Sequence, residues 1–161
     1  MSNFYQQPFA VRLGKMGDEA ETVFSEVAPL GKVERYGLRR PDISMRYLSA
    51  FLRYTPDCIT SQGALVEVVG LGSDDVLKFK IEKLEALAQW NRSQAVHLFV
   101  WHSKRREWML STYSSFRSLA LKIKRDSGTR RFPDDNKEYV PMPWRALTLI
   151  KGIVRGEYSD G

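Results

Sequence analysis

The apolar positions of the chain follow two periods, and each period predicts one kind of element. Between positions 18 and 28 they recur every three to four residues, which predicts a helix with acidic residues in its first turn. The buried stripe of this helix consists of Ala20, Val23, Phe24 and Val27. Runs rich in β-branched and aromatic residues, at 32–36 and on both sides of 61–63, predict three strands. Positions 1–16 show no clear period, and positions 45–52 fit either a helix or a strand.

The second half of the chain is also predicted to contain both helices and strands. Ser73 is expected to cap a helix that runs to about Trp90 and buries Leu77, Ile81 and Leu84. A buried strand at 95–101, a basic turn at 103–106 and a strand at 107–110 should follow. Beyond these, the pattern predicts a helix at 115–124, a basic loop at 125–131, a turn at 133–136, a final amphipathic helix at 143–155 and a disordered tail from 157.

The segment around Gln62 brings two acidic residues together. Gly63 can adopt the positive φ that closes a three-residue hairpin loop, so the turn is predicted at Gln62. Cross-strand partners then have numbers with a constant sum, which sets Asp57 opposite Glu67, with Cβ atoms about 4.5–5.5 Å apart. Two carboxylates at this separation repel each other unless a cation lies between them. An oxygen-only site of this kind suits a hard divalent ion such as Mg²⁺.

The same residues carry a resemblance to a known family. Pro56-Asp57, followed on the next strand by Glu67-Val68-Val69, resembles the signature of the PD-(D/E)XK nuclease superfamily. The longer pattern has Arg-Tyr-Thr-Pro-Asp at 53–57, Val-Glu-Val at 66–68 and Gly-X-Gly at 70–72 before a lysine-rich helix. It is similar to the nuclease domains of transposon end-cleaving endonucleases and of some phage-encoded relatives. The resemblance covers roughly positions 18 to 110 and departs from the signature at Val69, where a lysine is customary.

The resemblance implies both a fold and an activity. The fold would be α/β, with a restriction-endonuclease-like core made of a helix, a three-stranded antiparallel meander, a helix and a strand, and with an added C-terminal hairpin and helices. The chain would be one nuclease-like domain, 1–161, with its core at about 18–110 and a basic extension at about 111–156. The activity would be that of a metal-dependent DNA endonuclease that hydrolyses phosphodiester bonds.

The resemblance also implies the metal ligands. Asp57 and Glu67 would bind Mg²⁺ or Mn²⁺, and the carbonyl of Val68 would add a ligand. Glu21, at the margin of the first helix's apolar stripe, corresponds to a glutamate that the superfamily often carries near its metal. An ordinary solvated acid explains Glu21 equally well, and Asp57 and Glu67 have the alternative of a polar pair on a solvated face.

The missing lysine affects the enzyme hypothesis directly. A lysine beside the metal stabilises developing negative charge and the attacking hydroxide, and Val69 can do neither. In some superfamily members the following helix supplies this lysine, and here the candidate is Lys80, with Lys78 second. An exposed helix lysine is the plainer interpretation of each. A second Pro-Asp pair ends at Asp42, but no predicted hairpin aligns it with Glu67.

Composition narrows the class of protein. A chain of 161 residues with 43% hydrophobic residues is long enough to bury a core. The single cysteine, Cys58, excludes a disulfide framework, and with two histidines it leaves too few soft ligands for structural zinc. His97 and His102 are therefore expected in core or edge roles. The absence of a long apolar run and of a leader pattern predicts a soluble, cytoplasmic protein without membrane contact.

The charge of the chain favours a polyanionic partner. Lysine and arginine number 25 against 19 acidic residues, a formal net charge of +6. DNA is the expected partner, bound by a homodimer or within a larger DNA-processing complex of a phage or mobile element. The phosphate-contact candidates, chosen by charge, are Lys104, Arg105, Arg106, Lys122, Lys124, Arg125, Arg130 and Arg131.

Two further function classes stay open. Val69 also fits a catalytically inactive nuclease-fold protein that acts as a DNA-binding or protein-interaction accessory factor. A toxin-like or antidefence interaction protein is the other. Metal affinity distinguishes an active nuclease from an inactive one, because an inactive domain need not bind Mg²⁺.

Overall fold

The computed structural model describes residues 9–37 and 48–159, and the side chains from residue 17 onward. Its helices are α1 (Phe9–Val27), α2 (Ala50–Arg53), α3 (Ile81–Ser93), α4 (Tyr113–Ser127) and α5 (Trp144–Leu147). Its strands are β1 (Val33–Arg35), β2 (Cys58–Thr60), β3 (Leu65–Leu71), β4 (Val76–Lys80), β5 (Val96–His102), β6 (Glu107–Thr112), β7 (Arg130–Arg131), β8 (Glu138–Pro143) and β9 (Val154–Glu157).

A six-stranded mixed sheet forms the centre of the fold, with strand order β1-β2-β3-β5-β6-β9. Strands β1, β2 and β3 form an antiparallel meander, and β5 lies parallel to β3 after a crossover that contains α3. Strands β5, β6 and β9 complete the sheet with antiparallel pairs. The predicted α/β class is confirmed, as is the order of helix, meander, helix and strand in the core.

Strand β3 is buried on both faces, which explains its nearly unbroken apolar run. One face carries Val66 and Val68, which belong to the same buried cluster as the residues of α1. Those residues are Ala20, Val23 and Phe24, the predicted stripe. The other face carries Leu65 and Val69, which belong to the cluster that contains Leu84 and Leu87 of α3. Because side chains alternate along a strand, Glu67 lies in the row that faces α3.

The segment that follows β3 was predicted wrongly as the start of a helix. Residues 76–80 form β4, which pairs with β8, and β8 pairs with β7, giving a second, three-stranded sheet. Leu77 and Phe79 are buried while Lys78 is exposed, so the segment alternates with a period of two. Helix α3 therefore begins at Ile81 rather than at Ser73.

The C-terminal predictions also need correction. Helix α5 has only four residues, and the region predicted as its continuation contains β9, which pairs with β6. The predicted disordered tail begins inside β9, and Tyr158 N–H donates to the Arg106 carbonyl. Residues 125–127 belong to α4, which ends at Gly128 with a φ of +76°. Helix α1 begins at Phe9, earlier than predicted, and the second Pro-Asp pair at 41–42 lies outside the described residues.

Candidate active site

The hairpin between β2 and β3 has the predicted register. Cys58 pairs with Val66 and Ile59 with Leu65, so partner numbers sum to a constant centred on Gln62. The Thr60 N–H donates to the Ala64 carbonyl at 2.9 Å, and Gly63 closes the loop with a φ of +80°. Continued by one pair, this register sets Asp57 opposite Glu67, as the sequence predicted.

Strand β2 begins at Cys58, directly after Asp57, so the backbone ladder with β3 does not include the Asp57–Glu67 pair. Beyond the ladder, the Asp57 side chain replaces the backbone as the partner of β3. In the same register Val68 would face Pro56, which has no N–H to donate to the ladder. The chain turns away there, and Gly37 permits its close approach, since a Cβ on Gly37 would lie 2.7 Å from the Pro56 carbonyl oxygen. Asp57 Oδ2 accepts a hydrogen bond from Val68 N–H at 2.8 Å.

The carbonyl of Val68 lies on the Asp57 side of β3. In a strand the N–H and C=O of one residue point to the same neighbouring strand, because hydrogen-bonded pairs exchange both bonds. Since the Val68 N–H points to Asp57, its carbonyl oxygen points to the same gap in the sheet. Two carboxylates and one main-chain carbonyl therefore meet where the β2–β3 ladder stops.

Glu67 is a buried carboxylate with one oxygen paired and one open. Its residue is only 5% exposed, and Oε1 lies 2.9 Å from Lys83 Nζ. Oε2 is also buried and has no hydrogen-bond partner within the described part of the chain. Burial raises the pKa of Glu67 well above its usual value, and the nearby negative charge of Asp57 raises this pKa further.

Lys83 balances this negative charge from the first turn of α3. Its side chain is 20% exposed, and its ammonium also lies 5.4 Å from the centre of the Phe79 ring. Burial alone would lower the pKa of Lys83, but the carboxylates of Glu67 and Asp57 outweigh it and raise the pKa. The ammonium is therefore held protonated between an apolar ring and the carboxylate pair.

Lys80 and Lys78 do not occupy the position expected of them. Both lie on β4, and each has its own acidic partner: Lys80 Nζ is 3.3 Å from Asp135, and Lys78 Nζ is 3.7 Å from Asp74. The contact with Glu67 is made by Lys83, which the sequence prediction missed. The usable signal was the alternation of 76–80, which moves the helix start to Ile81 and sets Lys83 beside the inward-facing Leu84.

Glu21 approaches the same region from α1. Its Oε2 lies 3.2 Å from Nη1 of Arg35 on β1. Partial burial raises the pKa of Glu21, and the negative charge of Asp57 raises this pKa further. Burial also raises the pKa of the Cys58 thiol to about 12, with Asp57 and then Glu21 adding to the effect. Within residues 17–37 and 48–159, no three or more His, Cys, Asp or Glu side chains are grouped to hold a metal ion.

The predicted phosphate contacts divide into two groups. Four arginines have acidic partners: Arg105 with Asp75, Arg106 with Glu19, Arg125 with Asp126 and Arg131 with Glu138. The remaining four, Lys104, Lys122, Lys124 and Arg130, are exposed. The second group is thus better disposed to meet an external anion.

The histidines occupy the core or edge roles that were predicted. His102 is fully buried, and its Nε2 lies 2.5 Å from Asp75 Oδ1 while Nδ1 accepts the Arg105 N–H. Asp75 also receives Arg105 through Nε at 3.1 Å and Nη2 at 3.3 Å. The imidazole therefore links the turn before β4 to the turn after β5. His97 is half-buried on β5.

Comparisons with known proteins assign neither a family nor an activity to the chain. No protein-family model matches the sequence, and no curated protein matches it significantly. One solved structure with a similar fold is the 1.6 Å structure of Hjc, a Holliday junction resolvase from the archaeal hyperthermophile Archaeoglobus fulgidus. It is 12% identical, with a TM-score of 0.47, and the match covers 83% of this chain and 93% of that one. A resemblance this distant assigns no activity.

In the described part of the chain, no helix is long and apolar enough to cross a membrane.

Proposed function

We propose that the chain is a metal-dependent DNA endonuclease with a PD-(D/E)XK-type site whose lysine comes from α3. The observation that carries the proposal is the salt bridge between Lys83 and the buried Glu67, on a register that sets Asp57 opposite Glu67. A buried carboxylate beside a second carboxylate and an ammonium is costly to maintain and is typical of functional sites. The reaction would be phosphodiester hydrolysis.

The donor set fits Mg²⁺ or Mn²⁺. Oε2 of Glu67 is buried and open, while Oε1 is occupied by Lys83, so one carboxylate oxygen can take a metal without loss of the salt bridge. Asp57 and the carbonyl of Val68 would be the further ligands. Mg²⁺ commonly binds through one or two carboxylates and keeps several waters, so a site with two side-chain ligands suits it. When bound, the metal would supply an activated water and stabilise charge on the phosphate.

Three acidic or basic residues of the chain would have further, separate roles in the reaction. Asp57 is fixed by the Val68 N–H, so its carboxylate is oriented before any ligand arrives. Lys83 would hold its ammonium beside the reacting phosphate and stabilise negative charge that develops in the transition state. Glu21, held by Arg35, would be a more distant acid that adds negative potential at the site.

The substrate would be held by exposed basic residues. The net charge of +6 supports a polyanion, and the phosphate-contact candidates without acidic partners in the described chain are Lys104, Lys122, Lys124 and Arg130. A homodimer or a larger DNA-processing complex would be the working form. The alternative of an inactive accessory factor was favoured by Val69, and Lys83 weakens it because an ammonium is present from another element.

A plasmid-nicking assay with matched variants tests the proposal. Supercoiled, linear, single-stranded and branched DNA are incubated with Mg²⁺ or Mn²⁺, and the products are separated by electrophoresis. The parent protein should cleave at least one form, and Glu67→Gln, which keeps the side-chain shape, should not. Metal binding without cleavage of any form would favour the inactive accessory factor. Cleavage by Glu67→Gln at the parent rate would exclude this site.

A further inference from the structure

A groove lies between α4 and the segment that follows α5, away from the carboxylates. Its volume is about 450 Å³. Helix α4 contributes Ser118, Leu119 and Lys122, and the other wall contains Leu149, Ile150 and Lys151. The floor is apolar and continuous with the main core, because Leu119 and Ile150 pack against that buried cluster.

Leu149 is unusually exposed for a leucine beside such a groove. Its residue is 83% exposed, the highest value among the large exposed hydrophobic residues of the described chain. Scattered surface leucines are normal, but an apolar side chain at the rim of an apolar groove forms a continuous surface that a partner can cover.

The rim of the groove carries basic residues without acidic partners. Lys122 and Lys151 lie on opposite walls, and neither forms an ion pair within residues 17–37 and 48–159. Arg125 follows Lys122 on the same helix stripe, and its only acidic partner in the described chain is its neighbour Asp126. Elsewhere the arginines at 105 and 131 are paired with carboxylates. Two lysines without ion-pair partners in the described chain therefore lie on opposite sides of the groove.

We infer that this groove binds the sugar-phosphate backbone of a nucleic acid. Lys122 and Lys151 would contact phosphates, and Leu149 would contact the apolar faces of sugars or bases. A second copy of this chain fits less well, because it would bring like charges together across the contact. The inference rests on the proposed function for the identity of the polyanion and adds a binding surface outside the carboxylate site.

Fluorescence anisotropy of labelled 30-nucleotide single-stranded and duplex DNA, in EDTA so that cleavage plays no part, tests the inference. Lys122→Gln and Lys151→Gln are compared with Lys32→Gln, an equally conservative change at a lysine whose side chain is 81% exposed on another part of the chain. Each groove variant should weaken binding about tenfold near 0.1 M salt and reduce the slope of log K against log[salt] by about 0.9. Leu149→Ser should weaken binding severalfold at an unchanged slope.

The outcomes separate this inference from the nuclease proposal. Equal losses in Lys32→Gln and in the groove variants would mean that general charge, not the groove, binds DNA. Unchanged binding in the groove variants, with cleavage that still depends on Glu67, would overturn the groove alone and leave an acidic protein as the occupant to test. Weakened binding in the groove variants, with no cleavage by the parent, would keep the groove and remove the nuclease.

Discussion

The Nζ atom of Lys83 lies 2.9 Å from Oε1 of Glu67, although the two residues belong to a helix and a strand that are separated by β4. In the nuclease signature the lysine stands two positions after the glutamate, where this chain has Val69. An ammonium thus reaches the carboxylate from α3 instead of from β3. The relationship depends on how α3 packs against the sheet, through Leu84 and Leu87.

Replacement of Lys83 should abolish cleavage more than binding. We expect Lys83→Met to lower kcat by about 100-fold or more, because the ammonium acts on charge that develops in the transition state. DNA affinity in EDTA should change little. Lys80→Met is the matched control, since Lys80 pairs with Asp135 and not with Glu67.

Circular dichroism must accompany this comparison, because removing Lys83 leaves a buried carboxylate without its partner. The assignment fails if Lys80→Met loses turnover while folded Lys83→Met keeps it. Equal activity of both variants would mean that neither lysine takes part.

Substitution of Asp57 by asparagine should stabilise the metal-free protein. Asparagine keeps an acceptor for the Val68 N–H but removes the charge that raises the pKa of Glu67. If the loss of this repulsion raises the free energy of unfolding by about 1 kcal/mol, the melting temperature should rise by about 2–4 °C for a chain of this size. Thermal melting followed by circular dichroism provides the measurement.

The pH dependence of this effect has a definite sign. Glu67 has a folded pKa above its unfolded value of 4.5, so its protonation contributes stability below pH 4.5 that is lost as pH rises through the folded pKa. The increase in melting temperature on Asp57→Asn should therefore be small near pH 4.5, where Glu67 is protonated in the folded state, and larger near about pH 8. A gain that shrinks as pH rises would contradict the repulsion between these carboxylates.

Divalent metal should raise the melting temperature of the parent. A ligand that binds only the folded state at ten times its Kd stabilises it by about 1.4 kcal/mol. We expect this with Mg²⁺ and Mn²⁺, and we expect Glu67→Gln to lose it because Oε2 is the open ligand. Glu21→Gln should keep most of the shift, since Glu21 pairs with Arg35. A parent that melts identically with and without metal would favour the inactive accessory factor.

Asp75 should contribute to acid stability independently of the carboxylate site. Hydrogen bonds from Arg105 and then His102 lower its pKa from 3.8 to about 2. A depressed folded pKa gives stability that is present above pH 3.8 and lost as pH falls through about 2. Asp75→Asn should flatten this loss. Asparagine tolerates the positive φ of +56° at this position, so backbone strain does not confuse the result.

Asp74→Asn is the control for that measurement, since Asp74 pairs with the exposed Lys78. Acid titration of the folded fraction by circular dichroism compares the three proteins. Asp75 has no such role if Asp74→Asn and Asp75→Asn change the acid transition equally.

The local part of the site was predictable from the sequence, and the long-range part was not. Gly63 and the flanking β-branched residues determine the hairpin register, so the opposition of Asp57 and Glu67 followed from nearby residues alone. The stripe of α1 was recovered for the same reason. Ser73 suggested a helix cap, but the segment after it forms β4 because β8, which is distant in the sequence, supplies a pairing strand. Because the helix start was placed too early, the prediction chose Lys80 instead of Lys83.

The C-terminal error has a similar cause. Residues 143–155 have apolar residues at a spacing that suits a helix, but β6 offers an edge with which Val154 and Arg155 pair. Trp144 is buried, and its indole N–H donates to Glu107 at 3.2 Å. Pairing at a sheet edge and contacts between residues distant in the sequence depend on elements that no local pattern identifies. The structure beyond Leu147 could therefore not be predicted from the spacing of its own apolar residues.

Pro56 has a consequence for both the sheet and the proposed metal site. A residue with an N–H at this position could donate to the Val68 carbonyl and extend the ladder by one pair, which would occupy the oxygen proposed as a metal ligand while strengthening the sheet. We expect Pro56→Ala to melt at or above the parent temperature and to bind Mn²⁺ more weakly, measured by calorimetry. Lower stability with unchanged metal affinity would refute this. If the expected result is found, Pro56 keeps the sheet open at the proposed metal site and is not needed for the fold.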